Sequence, residues 1–342
     1  MHRPVVSVLC ALGLLTAACS PAGHAKAGHP STPSTLTPAA SPSPSRLALA
    51  ADVDPFTGTS PRPTGPVVVV KVDNATAAWP YQRGLGRASI VYQELVEAGE
   101  TRFAAVFSDA SPGEVGPVRS VRESDIELLG QLGKVPVAFS GGNRGVRATF
   151  AKAVKAEHLL DGSYDAVPQD YRIGERRADA YNFFTVPSKL AASRPGVAAR
   201  DIGLRFGPLP AGAGTATGTT SAVFSTYVTV RVQWVPETSH YAIFQNAHEM
   251  PGVAPANVII QRVPIHLSPY VDVLGNPTPY TVTTGSGPAT VLRDGRAVTG
   301  RWERPTADDG TRFVDPSGQD IPLRPGSTWV LLVPSTGPTG LG

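Results

Sequence analysis

The sequence predicts an α+β protein, a mixed α/β N-terminal domain followed by a mostly β C-terminal domain. Three observations carry this. Strand-like apolar runs alternate with helical spacing over residues 67–205. A low-complexity stretch, residues 207–222, separates that region from the rest. Beyond it the chain is a succession of short β segments. With 35 glycines and 34 prolines in 342 residues, turns and short elements are favoured over helical bundles.

Val67 to Val72 is five valines and a lysine, a buried strand feeding the polar Asp73-Asn74 turn. Ser89 to Val96 and Arg102 to Phe107 read as two more strands, joined by the Glu97-Ala98-Gly99-Glu100 turn. Strict alternation puts Glu94 on the face of Ile90, Tyr92 and Val96, with Glu97 on the other. Gly116-Pro117 breaks the chain before Ser120-Val121-Arg122-Glu123, which has the form of a capping box. Ile126, Leu128, Leu129 and Leu132 carry helical spacing behind it, and Val135 to Phe139 is a further strand.

Residues 61–206 therefore form the α/β domain, 207–222 an interdomain loop and 223–335 the β-rich domain. In the last of these, Val223 to Val235, Tyr241 to Gln245, Asn257 to Pro264 and Thr278 to Thr284 are strand-like. Arg293-Asp294-Gly295-Arg296 between Ala289 to Leu292 and Ala297 to Trp302 is a hairpin signal, and Thr328 to Val333 is the last strand.

The N-terminus reads as an address. A positive start is followed by an apolar, small-residue run from Val5 to Ala18, too short to span a membrane and right for a secretory signal, residues 1–19. Ala17-Ala18-Cys19 has the form of a bacterial lipobox, with Cys19 as the lipidated mature N-terminus and Thr16 where leucine is usual. Residues 20–60, rich in Ser, Pro, Thr and Ala, are expected to be a disordered tether, with His24 and His29 solvated in it. Cys10 is the only other cysteine, so the mature chain has no disulfide. The expected location is extracytoplasmic, on the outer face of the bacterial cytoplasmic membrane, held by acyl chains on Cys19. Net charge is +3, which provides no field for nucleic acid.

These residues resemble a known family. Arg62-Pro63, Val68 to Asn74, Arg87 to Glu94, Glu97 to Phe103 and Gly116 to Glu123 are similar to the N-terminal domain of the YerB-like bacterial lipoproteins. Asn246-Ala247-His248, Asn257 to Ile260 and Ile321 to Trp329 resemble that family's C-terminal domain. The resemblance implies a two-domain lipoprotein, one domain α/β and one β-rich, and brings no established activity. Two departures are visible. Tyr181 stands where the family usually has a histidine before Asn182, and Trp234 is followed by Val235-Pro236 rather than a Tyr-Asp pair.

Candidate chemistry gathers in residues 73–123. Charges inside sheet-forming segments are costly unless paired, so this stretch holds an internal ion network or lines a cleft. The expected ligand surface is Asp73, Asn74, Glu94, Glu97, Arg102, Arg119 and Arg122. Arg119 and Arg122 flank a predicted helix start, where guanidinium geometry suits a phosphate or carboxylate. An anionic wall polymer or a peptidoglycan fragment would fit. Alternatively, Asp73, Glu94, Glu97 and Arg102 form the site of a carboxylate-dependent hydrolase acting on a cell-wall glycan. In a third reading, Glu94 and Arg102 neutralise each other across strands and the cluster is a brace. There is no nucleophile elbow, no catalytic thiol and no metal-ligand spacing, so no cofactor and no metal are expected. A binding or scaffolding module is favoured over an enzyme.

Overall fold

In the computed structural model, residues 47–109, 113–174 and 182–336 are described. Cys19, the signal segment, most of the expected tether and Tyr181 lie outside them. Every described residue belongs to one compact unit, Ser43–Gly342. Of the described residues, the first half comprises β1 (Val68–Asp73), β2 (Ile90–Leu95), β3 (Thr101–Phe107), α1 (Ser124–Gly130), β4 (Pro136–Ala138), α2 (Arg144–Lys155), β5 (Leu160–Asp161), β6 (Tyr171–Ile173), β7 (Phe183–Thr185) and α3 (Pro187–Ser193). The second half is all β: β8 (Thr215–Ala216), β9 (Thr219–Val223), β10 (Thr229–Val235), β11 (His240–Gln245), β12 (His248–Glu249), β13 (Asn257–Val263), β14 (Ile265–Val271), β15 (Pro277–Thr281), β16 (Gly285–Arg293), β17 (Arg296–Arg304), β18 (Arg312–Val314) and β19 (Thr328–Pro334).

One mixed sheet organises both halves. Its order is β18-β17-β16-β13-β19-β2-β3-β1-β4-β5, with β8 added against β17. The strand nearest the C-terminus, β19, runs parallel to both β13 and β2, pairing Val330 with Ile259 on one side and with Tyr92 on the other. Because its neighbours cover both edges and packed layers cover both faces, β19 is buried throughout and reads as a continuous apolar run. The valine run of β1 obeys the same logic, its even and odd positions feeding two separate cores. One core lies under α1 and α2; the other lies under the four-stranded sheet β12-β11-β10-β9.

The protein is thus mostly β with few helices and a mixed sheet, which falls short of the α/β domain expected for residues 61–206. Helical crossover between parallel strands is confined to β4–α2–β5, because α1 and α3 are each only seven residues long. The stretch 207–222 is not a plain linker: β8 and most of β9 lie in it. Residues 223–235 are not one strand either, since a turn between β9 and β10 closes through Phe224 N–H to the Val228 carbonyl. The Asp294-Gly295 hairpin forms as expected, with both residues at positive φ.

The expected tether also ends early. Phe56 is fully buried in the core beneath α1 and α2, and Asp54 accepts from Phe56 N, Thr57 Oγ1 and Ser108 Oγ. Gly58, at φ +66°, sits where a Cβ would lie 2.3 Å from the Phe206 ring. Composition read the polar turn residues and missed the single aromatic anchor among them.

Candidate functional site

β1, β2 and β3 align Asp73 with Arg102 and Arg102 with Glu94, so the three share one face. That face carries Val69, Lys71 and Asp73 in β1, and Tyr92 and Glu94 in β2. Its apolar end packs under the helices, while its polar end opens to a cavity. The cavity, about 610 Å³, is lined by Asp73, Glu97, Glu100, Arg102, Arg119 and Arg122, with the start of α2 and the β14–β15 turn on its rim.

Five of the seven expected site residues therefore converge, and two do not. Glu94 is fully buried and accepts from Lys71 Nζ at 2.5 Å and Ser124 Oγ at 2.8 Å. It is not paired with Arg102, although the two face each other in register; Lys71, one strand further over, has captured it. The same ammonium lies 2.6 Å from Asp125 Oδ1, which makes a closed ionic triad beneath the cavity floor. Asn74 points to the opposite face, donating to Thr101 Oγ1 at 2.8 Å and Gln245 Oε1 at 2.6 Å. It helps seal the first half of the chain against β11. Beside it, Trp79 stacks on His248, with ring centroids 4.3 Å apart.

The remaining charges are unequally engaged. Glu97 is consumed: Arg122 donates to its Oε2 through Nε and Nη2, and Thr278 Oγ1 donates to its Oε1 at 2.8 Å. Arg119 Nε lies 2.8 Å from Asp73 Oδ2. Arg102 is different. It is only 7% exposed, its Nη2 reaches Asp73 Oδ1 only at 3.9 Å, and its Nε and Nη1 have no hydrogen-bond partner. Burial, together with the charges of Arg122 and Arg119 and against those of Asp73 and Glu97, pushes the Arg102 guanidinium down to about 10, so it stays cationic at neutral pH.

The expected capping box does not form. α1 begins at Ser124 with no side-chain cap; Asp125 Oδ2 accepts from Arg122 N instead, and Glu123 accepts from Ser268 Oγ at 2.7 Å. α1 thus offers no open N-terminus to a ligand. The helix start that borders the cavity belongs to α2, where Asn143 Oδ1 accepts from Gly145 N and Arg144 is exposed.

Sequence reasoning missed three residues here. Lys71 looked like an interruption of a valine run, although a charge inside such a run is itself a sign of a buried partner. Asp125 was hidden in a helical pattern. Glu100, in the cavity wall, has its carboxyl raised by burial and by the charge of Asp73, against the pull of Arg102. Among the described residues no group of three or more His, Cys, Asp or Glu side chains is placed to hold a metal ion. No helix among them is long and apolar enough to cross a membrane.

Comparison with known proteins follows this geometry. Residues 56–200 match the family described as "Protein of unknown function (DUF3048) N-terminal domain", and residues 220–330 match its C-terminal domain. A curated relative, "Putative lipoprotein YerB" of Bacillus subtilis (strain 168), is 49% identical over 63 residues, which is 18% of each chain. A solved structure, the crystal structure of YerB protein from Bacillus subtilis, superposes with a TM-score of 0.67 at 22% identity. That superposition covers 82% of this chain and 95% of the other, and it speaks to fold alone.

Proposed function

The chain belongs to the DUF3048 family, the YerB-like proteins, and from that premise we propose that it is a lipid-anchored envelope protein whose arginine-lined cavity binds an anionic ligand. The single observation behind the ligand is Arg102, a buried cation with two unpartnered guanidinium nitrogens at a cavity wall. Buried guanidinium nitrogens left without a hydrogen-bond partner are costly, and a bidentate phosphate or carboxylate would satisfy them. Glu100, opposite in charge and half-buried, would accept from a ligand hydroxyl. An anionic wall polymer or a peptidoglycan fragment has both groups. The lipobox at Cys19 and the lipoprotein named among the relatives support attachment to the outer face of the cytoplasmic membrane.

Thermal unfolding with inorganic pyrophosphate as probe tests the reading. The wild-type midpoint should rise with pyrophosphate concentration, as linkage requires. Arg102→Met should start from a higher midpoint, because a buried cation with two unsatisfied nitrogens and only a 3.9 Å contact to Asp73 is gone, and show no further rise. A wild-type midpoint indifferent to pyrophosphate, with Arg102→Met below it, would show that Arg102 is a brace and overturn the proposal.

The hydrolase reading survives in altered form. Glu94 has no access to a substrate, so the acid would be Glu100, whose raised carboxyl suits proton donation, with Asp73 as its partner. Turnover of isolated wall glycan that disappears in Glu100→Gln would establish it, and wild-type protein without turnover would remove it.

A further inference from the structure

Four of the nine large apolar side chains exposed among the described residues sit on one hairpin, β14–β15: Leu267, Val271, Val273 and Leu274. Val273 and Leu274, at its tip, are 101% and 83% exposed. The tip is not loose chain. Asp272 Oδ1 accepts from Leu274 N and Asn276 N, each at 2.8 Å, and Oδ2 accepts from Asn276 Nδ2 at 2.9 Å. Asn143 Nδ2 donates to the Val271 carbonyl at 2.6 Å, fastening the tip to the start of α2. A turn braced in this way cannot fold its two apolar side chains back onto the protein.

The same tip forms the rim of the cavity that contains Arg102, and Arg144 stands on that rim. An apolar prong, an exposed arginine and a buried guanidinium with unsatisfied nitrogens therefore border one cavity. That combination fits a ligand anionic at one end and hydrocarbon at the other. We infer that the cavity takes the phosphate headgroup of an anionic membrane lipid, with Val273 and Leu274 inserted among its hydrocarbon chains. This rests on the anion-cavity reading and gives the ligand a chemical class. The phosphate would lie on Arg102, with Arg144 at the headgroup boundary. Glu100 would accept from a headgroup hydroxyl. Asp73, Glu97 and Asp272 are occupied by Arg119, by Arg122 and Thr278, and by the turn amides.

The test uses residues 43–342, the compact unit that carries every described element, so that no acyl anchor contributes. Vesicles of phosphatidylcholine, with and without phosphatidylglycerol, are floated with wild type, Val273→Ser/Leu274→Ser and Arg102→Met. Wild type should float with the phosphatidylglycerol vesicles and not with phosphatidylcholine alone. The tip variant should bind about tenfold more weakly, as loss of apolar insertion predicts, and keep the wild-type pyrophosphate response. Arg102→Met should lose both. Equal flotation of the tip variant, or equal wild-type binding to both vesicle types, overturns the lipid inference and leaves the anion cavity standing. Loss of the headgroup preference when soluble glycerol 3-phosphate binds as tightly as the vesicles would also overturn it, making the ligand a free phosphate. Failure of both pyrophosphate and vesicles removes the underlying reading as well.

Discussion

The Lys71 ammonium lies 2.6 Å from Asp125 Oδ1, and neither side chain has any solvent exposure. One cation on β1 thus holds a carboxylate from α1 as well as Glu94 from β2, and Ser124 completes the coordination of Glu94. The triad locks the helix onto the sheet beneath the cavity.

Lys71→Met should be severely destabilising. Removing the cation leaves two buried carboxylates without compensation, and breaking such pairs costs about 3–5 kcal/mol. Chemical denaturation of residues 43–342 measures this. A loss below about 1 kcal/mol, the range of exposed pairs, would show that the triad is not what holds α1.

Stability should fall as pH rises toward neutrality. Burial, then the charge of Glu94, pushes the Asp125 carboxyl up to about 7, against Lys71. Glu94 is held below its ordinary value, because Lys71 and Ser124 outweigh the burial that opposes them. A native carboxyl raised above its unfolded value binds its proton more tightly when folded. The stability from that proton is full below the ordinary aspartate range, is lost progressively as pH rises from there to about 7, and changes no further above it. Glu94 acts in the opposite sense and only at pH values below the ordinary glutamate range. Melting midpoints of wild type should therefore decline from pH 4 to about pH 7 and level off above it, and Asp125→Asn should flatten that slope. A slope unchanged by the substitution would refute the assignment.

Glu127 should control the hairpin without touching the cavity. Its Oε1 accepts from Thr283 N, Thr283 Oγ1 and Thr284 N, and its Oε2 from Tyr280 OH at 3.2 Å. Glu127→Ala should raise amide exchange across residues 265–284 while leaving β1 and β3 protected. Uniform protection in the variant would show that the hairpin is held elsewhere.

Phe56→Ala should cost about 3–5 kcal/mol, the range for emptying a buried aromatic site. A chain started at residue 61 should lose a similar amount. Urea midpoints of both, set against wild type, check whether residues 52–59 belong to the folded unit. A neutral result would return them to the tether.

Much of this architecture was legible in the residues. The valine run, the Asp294-Gly295 turn and the apolar β19 segment each obey a local rule, and each became the expected element. The convergence of Asp73, Glu97, Arg102, Arg119 and Arg122 followed from pleat alternation and short connections. What escaped was long-range. Lys71 and Glu94 are 23 positions apart, and Lys71 and Asp125 are 54 apart. No local pattern says which carboxylate a lysine will choose, so Glu94 was matched with its register neighbour Arg102. The capping box failed for a similar reason: Ser268, from the second half of the chain, claimed Glu123. The continuity of the sheet across the two halves is equally invisible until partners are known.

β19 sits inside the sheet rather than at its edge, and Trp329 Nε1 on it donates to Gln93 Oε1, 236 positions earlier in the chain, at 3.3 Å. During synthesis or translocation, β2 must wait for almost the whole chain to emerge before its second neighbour exists. Closure across so long a loop is slow, and until then β2 and β13 present bare edges to other chains. A molecule interrupted before residue 328 would be left with an open seam through its centre, so the sheet can close only once residues 328–334 are available.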